Sequence, residues 1–207
     1  MTLIKVCGVT TLEDANMVAT AGVDWIGVNF WTESKRYVDR IRARIIAAEA
    51  RRCNPAIKIV GLFVNHSARE VDNAIEAADL DYVQLHGDES PVFANRFGDK
   101  CIKALALREE GDLSMLAAYT CGWKLVDTPT PERGGSGQVG NWELAARAAA
   151  SEDKLFLAGG LTPSNVAEAI AAVKPHGVDV ASGVEESPGV KSEEKVRAFV
   201  AAVRGVE

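Results

Sequence analysis

The 207-residue chain predicts an α/β fold, a single (β/α)8 barrel over residues 1–207. Three observations carry this. Short Val-, Ile- and Leu-rich runs alternate with longer Ala-, Glu- and Arg-rich segments whose apolar residues recur at helical spacing. Eight such units follow one another, and no Pro- or Ser-rich linker divides them. Several of the runs are apolar with little alternation, as expected of strands covered on both faces. A length of about 207 residues is small for this barrel, and a doubly wound open sheet is the structural alternative.

The first strand is LIKVC, Leu3 to Cys7, followed by a helix over Leu12 to Thr20. WIGVNF, Trp25 to Phe30, precedes the helix Ile41 to Arg51, and IKIVGLFV, Ile57 to Val64, precedes Ala68 to Ala77. YVQLH, Tyr82 to His86, leads to Pro91 to Phe97, and CIKAL, Cys101 to Leu105, leads to Leu113 to Tyr119. WKLVD, Trp123 to Asp127, LFLA, Leu155 to Ala158, and VDVA, Val178 to Ala181, are the last three strands. Their helices span Trp142 to Ala149, Ser164 to Val173 and Glu193 to Val203. Every strand but the last is followed by a crossover long enough to return parallel.

The composition excludes several classes of function. The chain is 47% apolar and 25% charged, with a net charge of −6 and no long basic run, so nucleic acid is not an expected partner. No charged-then-apolar leader opens it, and no window approaches the roughly 18 apolar residues of a membrane span, so a cytoplasmic location is expected. Cys7, Cys53, Cys101 and Cys121 stand singly, without a C-x-x-C pair, and read as reduced thiols. No His, Asp or Glu set has metal-ligand spacing, so no metal is expected.

In a barrel the strand ends share one rim, where chemistry belongs. Cys7, His86, Asp127, Gly159 and Ser182 lie at or just past such ends. Gly159-Gly160 leaves the seventh strand shortly before a helix capped by Thr162 or Ser164, and Ser182-Gly183 leaves the eighth before a segment that suits a short extra helix. Exposed amides beside a helix N-terminus suit a phosphate, and barrels commonly build such a site after strands seven and eight. Neither turn contains Lys or Arg, and no second Gly-rich loop follows strands three and four, so one phosphate is expected, held by amides.

Asp127 and Cys7, on strands facing each other across the rim, could move protons for an isomerisation. Their bland alternatives are a loop hydrogen-bonder for Asp127 and a small core hydrophobe for Cys7. Arg36, after the second strand, is either a carboxylate clamp or a solvated side chain. His86 and Asp179 either point into the mouth or satisfy structural roles. Gly135 to Gly140 spells G-x-G-x-x-G, but seven residues with two prolines separate it from its strand, and it lies in the sixth unit. Gly135 and Ser136 instead suit a mobile loop, Thr128 to Asn141, that closes over a substrate, or an ordinary surface loop.

The stretches KVCGVT from Lys5, SKRYV from Ser34, VQLHGDE from Val83, LVD from Leu125 with GGSG from Gly134, LAGGL from Leu157, and VASGVE from Val180 followed by PGVK from Pro188 run in order along the whole chain. As a set they resemble the phosphoribosylanthranilate isomerases of tryptophan biosynthesis. The resemblance implies Cys7 as general base, Asp127 as general acid, Arg36 on the anthranilate carboxylate, and phosphate on the Gly159–Gly160 and Ser182–Gly183 loops. Ser136 stands where that family often has threonine, and Asn141-Trp142 where it often has an aromatic-Asp-Trp run, so loop closure is where this chain departs.

The implied reaction is an Amadori rearrangement of a small phosphorylated substrate by a monomer or a homodimer. No cofactor is expected, because the imine formed on ring opening is itself the electron sink. An ordinary cysteine is only a few per cent thiolate at pH 7, so either the site lowers the Cys7 pKa or the rate climbs toward alkaline pH. The rival enzyme is the histidine-pathway aldose-ketose isomerase, which resembles this chain less because that family has an aspartate where Cys7 stands and a second phosphate loop. The rival from another class is a catalytically silent phosphate-ligand binder.

Overall fold

The computed structural model describes residues 1–127, 141–152 and 154–206. Eight strands pair in parallel and in chain order: β1 (Leu3–Cys7), β2 (Trp25–Asn29), β3 (Lys58–Phe63), β4 (Tyr82–Leu85), β5 (Cys101–Ala106), β6 (Trp123–Asp127), β7 (Leu155–Ala158) and β8 (Gly177–Val180). β8 returns to β1 with Ile4 opposite Val178 and Lys5 opposite Asp179, which closes the barrel and rules out the open sheet. The helices are α1 (Leu12–Thr20), α2 (Arg40–Cys53), α3 (Ala68–Ala78), α4 (Pro91–Asn95), α5 (Gly111–Ala117), α6 (Trp142–Ser151), α7 (Val166–Val173) and α8 (Glu193–Arg204). A short antiparallel hairpin, β9 (Glu185–Ser187) and β10 (Val190–Lys191), lies between β8 and α8. No helix among the described residues is long and apolar enough to cross a membrane.

The expected elements are present, with informative differences at their ends. α4 stops at Asn95 rather than Phe97, and the chain soon turns left-handed at Gly98 (φ 51°). α7 begins at Val166 rather than Ser164, and neither Thr162 nor Ser164 caps it. Asn165 bonds backward instead, accepting from the Thr162 N–H at 2.8 Å and donating to the Gly160 carbonyl at 3.1 Å, which keeps residues 162–165 in a turn. The extra helix expected after the eighth strand is a single 3₁₀ turn, Ser182–Val184, because the chain then extends into the hairpin that Gly189 turns at φ 89°.

Strand alternation sorts the side chains into two cores. Those facing outward, such as Ile4, Val6, Ile26, Val28 and Val126, pack with the helices' apolar faces. Those facing inward stack in layers drawn from alternate strands. At the N-terminal end of the barrel Trp25 stacks on Tyr82 with ring centroids 4.2 Å apart, meets Trp123 at 5.2 Å and Phe156 at 5.1 Å, and so forms an aromatic plug. Gly177 makes room for it, since a Cβ there would lie 2.4 Å from the Phe156 ring. Above the plug come Val60, Ile102 and the buried Lys5, then Gln84, Leu125 and Asp179, and finally the mouth.

The apolar end sets stability and leaves the polar side chains at the opposite end. Replacing Gly177 with Ala should overpack the plug and cost about 1–3 kcal/mol, measured by urea unfolding. Stability equal to that of the parent would mean that the rings yield without strain.

Candidate active site

The C-terminal ends of the strands surround a cavity of about 540 Å³. Cys7, Arg36, His86, Asp127, Gly159, Gly160, Asp179, Ser182 and Gly183, all singled out from the sequence, line it. Gly135 and Ser136, with the rest of residues 128–140, lie outside the described residues.

Cys7 ends β1 with its side chain turned inward, and Gly27 on β2 leaves room for it: a Cβ on Gly27 would lie 2.8 Å from Cys7 Sγ. The residue is 7% exposed. Burial pushes it above the usual cysteine range, the Lys5 ammonium pulls it back down, and the Asp179 carboxylate opposes that pull. The site therefore does not lower the Cys7 pKa, which removes the first of the two expectations drawn from the sequence.

Asp127, at the end of β6, has its carboxyl pushed up by burial, held back by His86 and raised further by the Asp179 charge. A raised carboxyl pKa extends the protonated form to higher pH and suits an acid. His86 is lowered chiefly by burial, with Asp127 and Asp179 acting in the other direction, so its imidazole tends to neutrality. The Gln84 Nε2 stands 3.0 Å from the ring's Nδ1, while Gln84 Oε1 is buried beside the cavity without a hydrogen-bond partner.

Arg36 is not a solvated side chain. Its Nε and Nη2 donate to the two oxygens of Glu185 at 2.7 and 2.6 Å, a planar bidentate pair. Gly8, at φ 73°, lets the arginine lie across it, since a Cβ there would lie 2.3 Å from Arg36 Cδ. Glu185 also accepts from Lys191 Nζ at 2.8 Å, and that ammonium donates to the Cys7 carbonyl at 2.6 Å and the Ala181 carbonyl at 3.2 Å. One hairpin thus ties together the ends of β1 and β8 and the loop after β2.

The two glycine turns touch through their backbones. Gly159 and Gly160 are left-handed, at φ 96° and 62°, and a Cβ on Gly183 would lie 1.9 Å from the Leu161 carbonyl oxygen. The contact leaves no room for a side chain at Gly183, and glycine turns that line the cavity suit an anion. Among the described residues no three His, Cys, Asp or Glu groups come together as metal ligands.

Sequence reasoning gave no role to Lys5, Gln84, Glu185 or Lys191. Lys5 had a readable signal, an ionisable residue inside a short apolar strand, two positions before Cys7 and so on its face. The Arg36–Glu185 pair spans 149 residues, a separation that no local pattern predicts.

The profile of a family described as N-(5'-phosphoribosyl)anthranilate (PRA) isomerase matches residues 4–202. The chain belongs to this family. The PRA isomerase of Geobacter sp. (strain M21) is 44% identical over 206 residues, which cover 99% of this chain and 98% of that one. The solved PRA isomerase from Thermotoga maritima matches with a TM-score of 0.92 at 37% identity, over 99% of this chain and 100% of its own. A PRA isomerase in complex with reduced 1-(o-carboxyphenylamino)-1-deoxyribulose 5-phosphate matches with a TM-score of 0.86 at 33% identity, over the same shares. A structure of monomers of the dimeric Thermotoga maritima PRA isomerase matches with a TM-score of 0.88 at 33% identity, over 99% and 100%.

The electrostatics of the mouth are open to direct measurement. In an NMR titration of the three histidines, His86 should have its midpoint below the ordinary value of about 6.5, and lower still in Asp127→Asn, which removes a neighbouring negative charge. A midpoint that ignores Asp127 would mean that the two groups do not sense each other.

Proposed function

We propose that the chain converts N-(5'-phosphoribosyl)anthranilate into 1-(2-carboxyphenylamino)-1-deoxyribulose 5-phosphate. The supporting observation is a cavity that brings together a carboxyl biased toward its protonated form, a thiol at a strand end, an arginine and an amide-lined turn. The Asp127 carboxyl protonates the ribose ring oxygen, and the ring opens to an imine. The Cys7 thiolate then takes the proton from the sugar C2 carbon, giving an enolamine that tautomerises to the product. His86, neutral, and Gln84 Oε1, unpartnered, are available to the sugar hydroxyls.

Glu185 occupies Nε and one N–H of Nη2 on Arg36. A guanidinium carries five N–H donors, so Nη1 and the remaining Nη2 proton form a fork for the anthranilate carboxylate. The phosphate sits against Gly159, Gly160, Ser182 and Gly183, where amides and the α7 N-terminus favour an anion. The substrate is small and phosphorylated, a cytoplasmic setting suits it, and the protein acts as a monomer or a homodimer.

Both proton-transfer groups are raised, and the pH profile follows from the sign of each shift. Turnover needs Asp127 protonated and Cys7 ionised, and both raised pKa values favour the protonated form. Between the two pKa values one fraction falls tenfold per unit as the other rises tenfold, so kcat/KM is flat in that interval. The alkaline climb expected from the thiol alone belongs to Asp127→Asn, whose residual rate should rise with pH until Cys7 is ionised.

The deciding experiment follows the loss of anthranilate-type fluorescence when substrate made in situ meets the protein. The parent should act rapidly, while Cys7→Ser and Asp127→Asn should each lose about 10²- to 10⁴-fold in kcat. A parent no faster than the spontaneous decay that still binds a product analogue would replace this reading with the silent binder. Gly183→Ala, which pushes the two glycine turns apart, should weaken binding of inorganic phosphate at least about tenfold by calorimetry. Unchanged binding would move the anion elsewhere.

A further inference from the structure

The reaction as written makes no use of the charge on Lys5, yet that side chain is fully buried at the centre of the barrel. Its Nζ donates to Asp179 Oδ1 at 2.9 Å, with Asp179 opposite it in the β1–β8 register. The Cys7 thiol lies two residues along β1 on the same inward face, at the cavity end of the strand. Desolvating a lysine is costly, and an apolar side chain would fill the layer shared with Val60 and Ile102 without that cost.

We propose that Lys5, clamped by Asp179, is a positioning residue whose fixed ammonium is the counter-ion that lets Cys7 ionise. The inference rests on the reading of Cys7 as the base. The other charged groups around the thiol are engaged differently. Lys191, from the β9–β10 hairpin, donates to the Cys7 backbone carbonyl and to Glu185, and Arg36, from the loop after β2, is paired with the same Glu185. Asp179 faces the thiol from β8 as a negative charge, and His86 and Asp127 line the cavity from the ends of β4 and β6.

Lys5 itself neither gives nor takes a proton. Burial alone would lower its pKa, but Asp179 and Cys7 more than offset this and raise it, so it stays an ammonium throughout. Ionisation releases the thiol proton to solvent through the open mouth and leaves a thiolate beside the ammonium. Transfer of the substrate's C2 proton to sulfur restores the thiol, and the Lys5–Asp179 pair is unchanged. Lys5 pulls the thiol toward ionisation more strongly than Asp179 pushes it back, so the pair's effect on sulfur is favourable overall.

The test needs no substrate. The pH dependence of Cys7 alkylation by iodoacetamide, read by peptide mass mapping so that Cys53, Cys101 and Cys121 are scored apart, gives the thiol's midpoint in the full chain. Lys5→Met should raise that midpoint by at least about one unit, a tenfold loss of thiolate at any lower pH. Asp179→Asn, which keeps the ammonium and removes the opposing charge, should lower it. A merely structural role would leave the midpoint unmoved or move it the same way in both variants, and either result overturns the proposal. If Lys5→Met does not fold, Lys5→Met/Asp179→Asn leaves no unpaired buried charge, and its midpoint should still lie above that of the parent; an unchanged one overturns the proposal. Opposite shifts in a parent inactive in the fluorescence assay would support the Lys5 coupling and overturn Cys7 as the catalytic base.

Discussion

The parallel pairing of β8 with β1 is the constraint on which the rest of the structure depends. Closure gives each strand an inner and an outer face, and the period-two alternation then assigns every second residue to the axis. Cys7, Gln84, Asp127, Ala158 and Asp179 converge because each sits near a C-terminal strand end with inward parity. In an open sheet the same residues would be spread along an edge.

The mouth is held by charges that the surrounding strands desolvate. Lys5–Asp179, Lys103–Glu89 and Glu185–Lys191 are almost entirely withdrawn from water, and Arg36, half-buried, joins the last of them. Pairs of this kind contribute little net stability, yet removing one partner typically costs about 3–5 kcal/mol because the other is left uncompensated. Their effect is to fix geometry. Lys191 joins the Cys7 and Ala181 carbonyls, and Lys103 joins the Gly87 carbonyl to Glu89 at the end of β4, so the strand ends around the cavity are clamped while its centre stays open.

Most of the fold was legible because each strand is a short apolar run and each helix shows its spacing, and β1, β6 and β7 fall where LIKVC, WKLVD and LFLA place them. The site residues were legible as positions, since a strand end is a local property. Their partners were not. Nothing near Arg36 announces Glu185, and nothing near Lys5 announces Asp179, because closure alone brings β8 beside β1. The α7 cap was misread because Thr162 and Ser164 are good cap residues, whereas Asn165 competes by bonding back to the turn.

The aromatic plug has a consequence for molecular traffic. With Trp25, Tyr82, Trp123 and Phe156 packed across the N-terminal end, the barrel is a blind well rather than a channel. Any molecule that reaches Cys7 must arrive through the mouth and leave by it, and two ligands of similar size exclude each other. Arrival and departure therefore share one route, and a product that lingers inhibits by occupying the place of the next substrate.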